Sequence, residues 1–163
     1  MAKGLNQKPT VVAVSGGFDP IHPGHIRMFK AAKQLGDKLV VILNNDNWVM
    51  KKKKFVFMHD QERKEVLAAI KFVDEVVITR HPKNPDDMSV GAELLRIRPD
   101  IFANGGDRHK GNVPEVEVCR KIGCRMVDNV GQGGKIQSSS ELVDQAIKTA
   151  PRKVSIHIKP SRK

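Results

Sequence analysis

The sequence predicts an α/β chain: a doubly wound, five-stranded parallel sheet with helices on both faces. Three observations predict it. Short, nearly continuous apolar runs alternate with segments whose apolar residues recur at helical spacing. The runs lack the polar–apolar alternation of a strand with one wet face, so they fit strands covered on both sides. Polar, glycine-rich or basic segments follow most of the runs, where open parallel sheets keep their ligand crevice. At 163 residues, 39% hydrophobic and 29% charged, the chain has the size and composition of one soluble globular domain. That domain is placed at 9–150, after a flexible lead-in at 1–8 and before a basic tail at 151–163.

The first strand is expected over 9–15, carrying Val11-Val12-Ala13-Val14. A helix over 23–35 follows, with Met28, Phe29, Ala32 and Leu35 on one face and Gly36 as its stop. His25 precedes Met28 and Phe29 by three and four residues, which turns it inward. The second strand spans 38–43. Residues 44–54, with Asn44-Asn45-Asp46-Asn47 and Lys51-Lys52-Lys53-Lys54, read as a long functional loop. Trp48 within it reads as a hydrophobic plug or interface anchor.

A helix over 60–71 starts at Asp60 as N-cap and buries Val66, Leu67 and Ile70. Arg63 shares that lean toward the sheet. A strand over 75–79, a loop with two prolines and a helix over 88–97 come next, the helix with Val90, Leu94 and Ile97 in phase. The fourth strand, 100–103, leads into Asn104-Gly105-Gly106-Asp107. A helix from Pro114 carries Val116, Cys119 and Ile122, and Gly123 ends it. The fifth strand is 125–127, and residues 129–137 form a glycine-rich loop. Ser138 and Glu141 fit a capping box that opens a last helix with Leu142, Val143, Ala146 and Ile147 inside. Residues 154–158 alternate and read as a short strand.

Composition narrows the function. No run of 18 apolar residues occurs, so no membrane span or membrane partner is expected. The N-terminus lacks an apolar signal core, and Cys119 and Cys124 have neither disulfide-scaffold nor zinc spacing, so a reducing cytoplasm is expected. The net charge of +11 is concentrated: six basic residues and no acidic ones fall in residues 148–163. Such a tail aids solubility, or serves as an arm on nucleic acid. Charge alone supports a nucleic-acid module, and a chain with no tyrosine and one tryptophan offers few stacking platforms.

The organising stretch is 16–25, Gly-Gly-Phe-Asp-Pro-Ile-His-Pro-Gly-His, between the first strand and the first helix. A strand end, glycines and a helix N-terminus together make an anion site, and the histidines add donors. Residues 17–25 resemble the signature of the cytidylyltransferase-like nucleotidyltransferases, whose core is His-x-Gly-His. Asn44-Asn45-Asp46, Gln61-Glu62-Arg63, Gly105-Gly106-Asp107 and Ser138-Ser139-Ser140 resemble four further segments of that family, in its order, over about residues 10–148. The resemblance implies a Rossmann-like domain that passes a nucleoside monophosphate from ATP or CTP to a phosphorylated small molecule and releases pyrophosphate.

It also implies roles. His22, His25 and Lys54 are the catalytic candidates, the histidines donating to the α-phosphate. Gly16, Gly17, Phe18, Asp19, Gly24, Arg63, Gly106, Asp107, Ser138, Ser139 and Ser140 are expected to hold the nucleotide, with Arg63 on the leaving pyrophosphate. Lys51, Lys53 and Asp46 are expected at the acceptor. Mg²⁺ is expected as phosphate counter-ion, with no protein metal site, and a homodimer is expected. Cytidylyltransferase relatives carry Gly-Asp-Asp-Trp and an arginine before the last helix. Here Arg108 follows Asp107 and the loop runs Gly133-Gly134-Lys135, which places ATP ahead of CTP and a sugar phosphate first among acceptors. A vitamin phosphate such as FMN is the alternative acceptor.

Overall fold

The computed structural model of the chain describes residues 8–106, 114–131 and 138–151. Among these, strands β1 (Val11–Gly16), β2 (Lys38–Leu43), β3 (Glu75–Ile78), β4 (Ile101–Gly105) and β5 (Arg125–Val130) form one sheet in the order β3-β2-β1-β4-β5, every pair parallel. Helices α1 (Pro23–Lys33), α2 (Asp46–Lys53), α3 (Asp60–Ala68), α4 (Gly91–Ile97), α5 (Val116–Ile122) and α6 (Ser139–Thr149) connect or follow them.

The unbroken apolar runs have a direct cause: consecutive residues serve opposite faces of the sheet. Val12, Val14, Leu39 and Val41 pack with Phe29 and Ala32 of α1 and Leu67 of α3. Ala13, Ile42 and Phe102 pack with Leu94 of α4 and Cys119 of α5 on the other face. Both cysteines are buried, and burial pushes the Cys124 thiol up to about 12, so they act as small apolar side chains. Strand order reverses between β1 and β4, which opens a crevice at their carboxyl ends.

Several expectations are corrected. Residues 46–53 form α2 rather than a loop: Asn45 caps it by accepting from the Trp48 N–H at 3.1 Å, and Trp48 and Val49 bury one side. Trp48 is the expected plug, and its indole donates to the Met88 carbonyl at 2.8 Å. Gly36 is not the helix stop, because α1 ends at Lys33 with Gln34 as its C-cap; a Cβ at Gly36 would lie 2.7 Å from the Thr10 carbonyl, so glycine lets the chain pass close to the start of β1. His59, not Asp60, caps α3, since the Asp60 carboxylate is drawn to the Asp46 N–H at 3.2 Å.

Val66 and Ile147 are exposed, at 39% and 62%, as is Ala146, so the inward faces of α3 and α6 are narrower than their periodicity indicated. Helix α4 starts at Gly91, three residues later than expected, and β5 runs on to Val130, through residues assigned to a loop. The capping box of α6 forms as read, with the Glu141 N–H donating to Ser138 Oγ at 3.1 Å and the Ser138 N–H to Glu141 Oε2 at 3.0 Å. The lead-in to residue 7, Asp107, residues 132–137, the basic tail from 152 and its short strand lie outside the described residues.

Candidate active site

A cleft of about 670 Å³ opens at the switch point. Its walls include Gly16, Gly17, Phe18, His22, Gly24 and His25 from the first strand–helix turn, Lys52 and Lys53 from α2, Asn104 to Gly106 after β4, and Ser138 to Ser140 at α6. Four chain segments distant in sequence thus meet at a cleft that includes two helix N-termini, where unpaired N–H groups and the helix dipole favour anions.

The histidines are locked to each other and to the helix start. His22 Nδ1 accepts from the Gly24 N–H at 3.1 Å, and His25 Nδ1 accepts from the His22 N–H at 3.2 Å. Each accepting nitrogen is therefore unprotonated, and the neutral ring carries its proton on Nε2. The rings stack with centroids 3.7 Å apart, and His25 sits edge-on to Phe18 at 5.0 Å. A Cβ at Gly24 would lie 2.9 Å from the His22 ring, so glycine is needed there for the histidine's own seat. Phe18 takes a left-handed φ of 47°, costly for a bulky residue, and is held there by its ring contacts to His25 and Phe29.

Burial, then His22, then Lys53 push the His25 imidazole down to about 3; burial and then Lys53 lower His22. The pair is neutral at pH 7 and offers hydrogen-bond donors without charge. Between pH 6.5 and about 4.5 the unfolded chain binds a proton at His25 that the native chain refuses, so stability falls as pH falls, by up to ~1.4 kcal/mol per pH unit. Urea unfolding at stepped pH is expected to show this slope in the wild type and a flatter one in His25→Asn. A limb of equal slope in both proteins contradicts it. The carboxyls held low by hydrogen bonds, Asp74 and Asp87, add their acid sensitivity only below that window.

The other candidates divide. Lys53 lines the cleft and donates from Nζ to the Asp19 carbonyl at 2.8 Å; burial lowers its ammonium below the usual range. Lys54 does not reach the cleft: it is the left-handed C-cap of α2, with Nζ on the Lys51 carbonyl. Lys51 is turned to Asn84 at 2.7 Å, leaving Lys52 as the second cleft lysine; the sequence points to one or more of residues 51–54 at the phosphates without singling out Lys52. Helical phase, hidden while 44–54 reads as a loop, would have separated these four lysines.

Arg63, Asp19 and Asp46, expected at the ligands, are bonded within the framework in this structure. Arg63 is 2% exposed; Nη1 donates to the carbonyls of Gly17 at 2.6 Å and Asn44 at 2.8 Å, Nε to that of Met58 at 2.8 Å, and Nη2 to Asp46 Oδ1 at 2.7 Å. Asp46 also meets the His59 ring at 2.8 Å. Asp19, fully buried, accepts from the N–H groups of Phe57 and Met58 at 2.7 and 2.8 Å. Together they fasten the ends of β1 and β2 and residues 57–58 beneath the phosphate turn. Ser139 Oγ donates to the Pro20 carbonyl at 2.7 Å, tying α6 to the same turn. Gly106, Ser138 and Ser140 are in the lining as expected.

The described residues offer no cage for a metal. No group of three His, Cys, Asp or Glu side chains is arranged to hold an ion, and no described carboxylate lines the cleft. No helix among them is long and apolar enough to cross a membrane.

A parallel sheet with a neutral histidine pair, paired helix N-termini and two lysines at its switch point defines a protein that handles nucleoside phosphates. The cytidylyltransferase-like family matches residues 13–128, and the chain belongs to that family. Its reaction class is nucleotidyl transfer. The chain is 39% identical over 114 residues to the FAD synthase of Ferroglobus placidus, covering 70% of each protein. It is 32% identical over 136 residues to that of Archaeoglobus fulgidus, covering 82% of this chain and 94% of the other. With the FAD synthase of Pyrococcus horikoshii it shares 43% identity over 98 residues, and the match spans 63% of that relative's length. The crystal structure of a lipopolysaccharide core biosynthesis protein from Thermoplasma volcanium superposes with a TM-score of 0.63 at 26% identity, over 77% of this chain and all of that one.

Proposed function

We propose that this chain transfers the adenylyl group of ATP to the phosphate of FMN, forming FAD and pyrophosphate. The observation that carries the reading is the agreement of its relatives, FAD synthases that align over 70% and 82% of this chain. It reverses the order of acceptors drawn from the motifs and moves the vitamin phosphate ahead of the sugar phosphate. In the reaction an oxygen of the FMN phosphate bonds to the α-phosphorus of ATP, and the bond from that phosphorus to the α–β bridging oxygen breaks. His22 and His25 donate from Nε2 to the α-phosphate oxygens, where charge builds. Lys52 and Lys53 lie beside the attacking phosphate, and Ser138 to Ser140 with the α6 N-terminus receive the terminal phosphates. Positioning and charge complementarity supply the rate. Mg²⁺ would enter as the counter-ion of the triphosphate.

Incubating the protein with ATP and FMN and following FAD by chromatography tests the reading. FAD with equimolar pyrophosphate is the expected result. Pyrophosphate release with a sugar phosphate or glycerol phosphate, and none with FMN, would overturn it. The sugar-phosphate acceptor is the second reading, favoured by the likeness to the lipopolysaccharide core biosynthesis protein.

A further inference from the structure

The two ends of the cleft differ in chemistry. One carries Lys52 and Lys53; the other is built from Asn104, Gly105, Gly106, Val130 and Gly131, with Met28 packed against the glycines and Arg27 beside it in the lining. The second end contains an irregularity. Ala103 pairs with Val127 and Gly105 with Val130, so two residues of β5, Asp128 and Asn129, stand opposite Asn104 alone. Asn129 takes a left-handed φ of 59° to accommodate the extra residue. Such bulges re-aim side chains and leave ladder groups unpaired. Across this one, Asn104 Nδ2 donates to Asp128 Oδ1 at 3.1 Å. Asn104 is 3% exposed as a residue and lines the cleft, and no described residue donates to its Oδ1.

The Asp128 carboxylate only accepts, so it fixes which way the Asn104 amide is turned: NH₂ toward Asp128, oxygen away. An amide oxygen held in this orientation in the lining of a nucleotide cleft selects for a donor. Adenine presents an exocyclic amine, and so does cytosine; hypoxanthine, guanine and uracil present an oxygen at the corresponding place and repel it. Resting on the ATP reading above, we infer that Asn104, oriented by Asp128 across the β5 bulge, is the residue that reads the exocyclic amine of the base. Asn104 contacts the nucleotide and Asp128 is a positioning residue. A site whose buried acceptor is left unpaired by the wrong base discriminates far more than one that loses apolar contact.

The test needs no acceptor. Binding of ATP and of ITP, which differ in this amine, is measured by calorimetry on the full chain, with CTP and UTP as a second pair. The wild type is expected to bind ATP at least roughly tenfold more tightly than ITP, and CTP more tightly than UTP. In Asp128→Asn the new amide can donate to Asn104, which frees Asn104 to turn its NH₂ into the cleft. The ATP-to-ITP ratio is then expected to fall toward one, with ATP losing affinity and ITP gaining it. A gain for ITP is an outcome that general destabilisation does not produce. Asn104→Leu removes the acceptor and is expected to bind the two nucleotides alike. Equal affinities for ATP and ITP in the wild type overturn the inference, as does a wild-type ratio in both variants when their circular dichroism shows them folded. Amine selection without FAD formation leaves this inference standing and removes the FMN acceptor; FAD formation with no amine selection does the reverse.

Discussion

Arg63→Met is expected to destabilise the chain by about 3–5 kcal/mol, a large fraction of the total stability of a domain this size. The figure follows from what the guanidinium leaves behind. The carbonyls of Gly17, Asn44 and Met58 each lose a charged donor, at a buried site that water does not readily refill. An orphaned buried acceptor costs on the order of 1–3 kcal/mol. The Asp46 contact adds little, because that carboxylate side chain is 30% exposed and water replaces the lost partner. Urea unfolding checks the prediction: the midpoint drops and the m-value stays. Arg63→Lys is expected to recover only part of the loss, since one ammonium cannot serve three carbonyls spread around a planar fork. A melting temperature within about a degree of wild type for Arg63→Met would show that the network carries little. The prediction also separates framework from ligand. If Arg63 gripped pyrophosphate, the variant would keep its stability and lose product inhibition.

Arg63 shows where sequence reasoning ends. Its helical phase with Val66 and Leu67 correctly turned it toward the sheet, and an inward arginine beside a phosphate motif reads as a phosphate ligand. The acceptors it meets are backbone carbonyls of residues 17, 44 and 58, and which carbonyls converge is set by the tertiary fold. Asp19 is alike: it sits inside the signature, and its partners in the structure are the N–H groups of residues 57 and 58.

What repeats locally was legible. The strands were written as unbroken apolar runs because Val12 and Ala13 each find a core on opposite faces. Ser138 with Glu141 was legible because a capping box is closed within four residues. The lysine run failed for want of phase: only with 46–53 helical do Lys52 and Lys53 fall toward the cleft while Lys54, at φ 69°, turns out of it. The Asn104–Asp128 pair carries no local signal, because a bulge between strands 20 residues apart is a property of their register.

His25→Asn is expected to lower kcat by about 10²–10³ while leaving ATP affinity within about tenfold. The choice of asparagine isolates one atom. Its Oδ1 stands near the place of Nδ1 and can keep accepting from the His22 N–H, so the start of α1 stays capped. What disappears is the far Nε2–H, the donor proposed above to face charge as the α-phosphate becomes pentacoordinate. A neutral donor suits this task, because it strengthens as the phosphoryl oxygens gain charge in the transition state and does not over-stabilise the bound triphosphate. The ring's place between Phe18 and His22 fixes the donor before substrate arrives. No reorganisation is then needed at the moment of reaction. Single-turnover kinetics with saturating ATP and acceptor read kcat, and calorimetry reads ATP binding. His25→Ala should lose the same rate and, in addition, the cap, so its melting temperature is expected to fall below that of His25→Asn. A kcat within threefold of wild type in His25→Asn would move the transition-state contact to His22 and leave His25 as its structural seat.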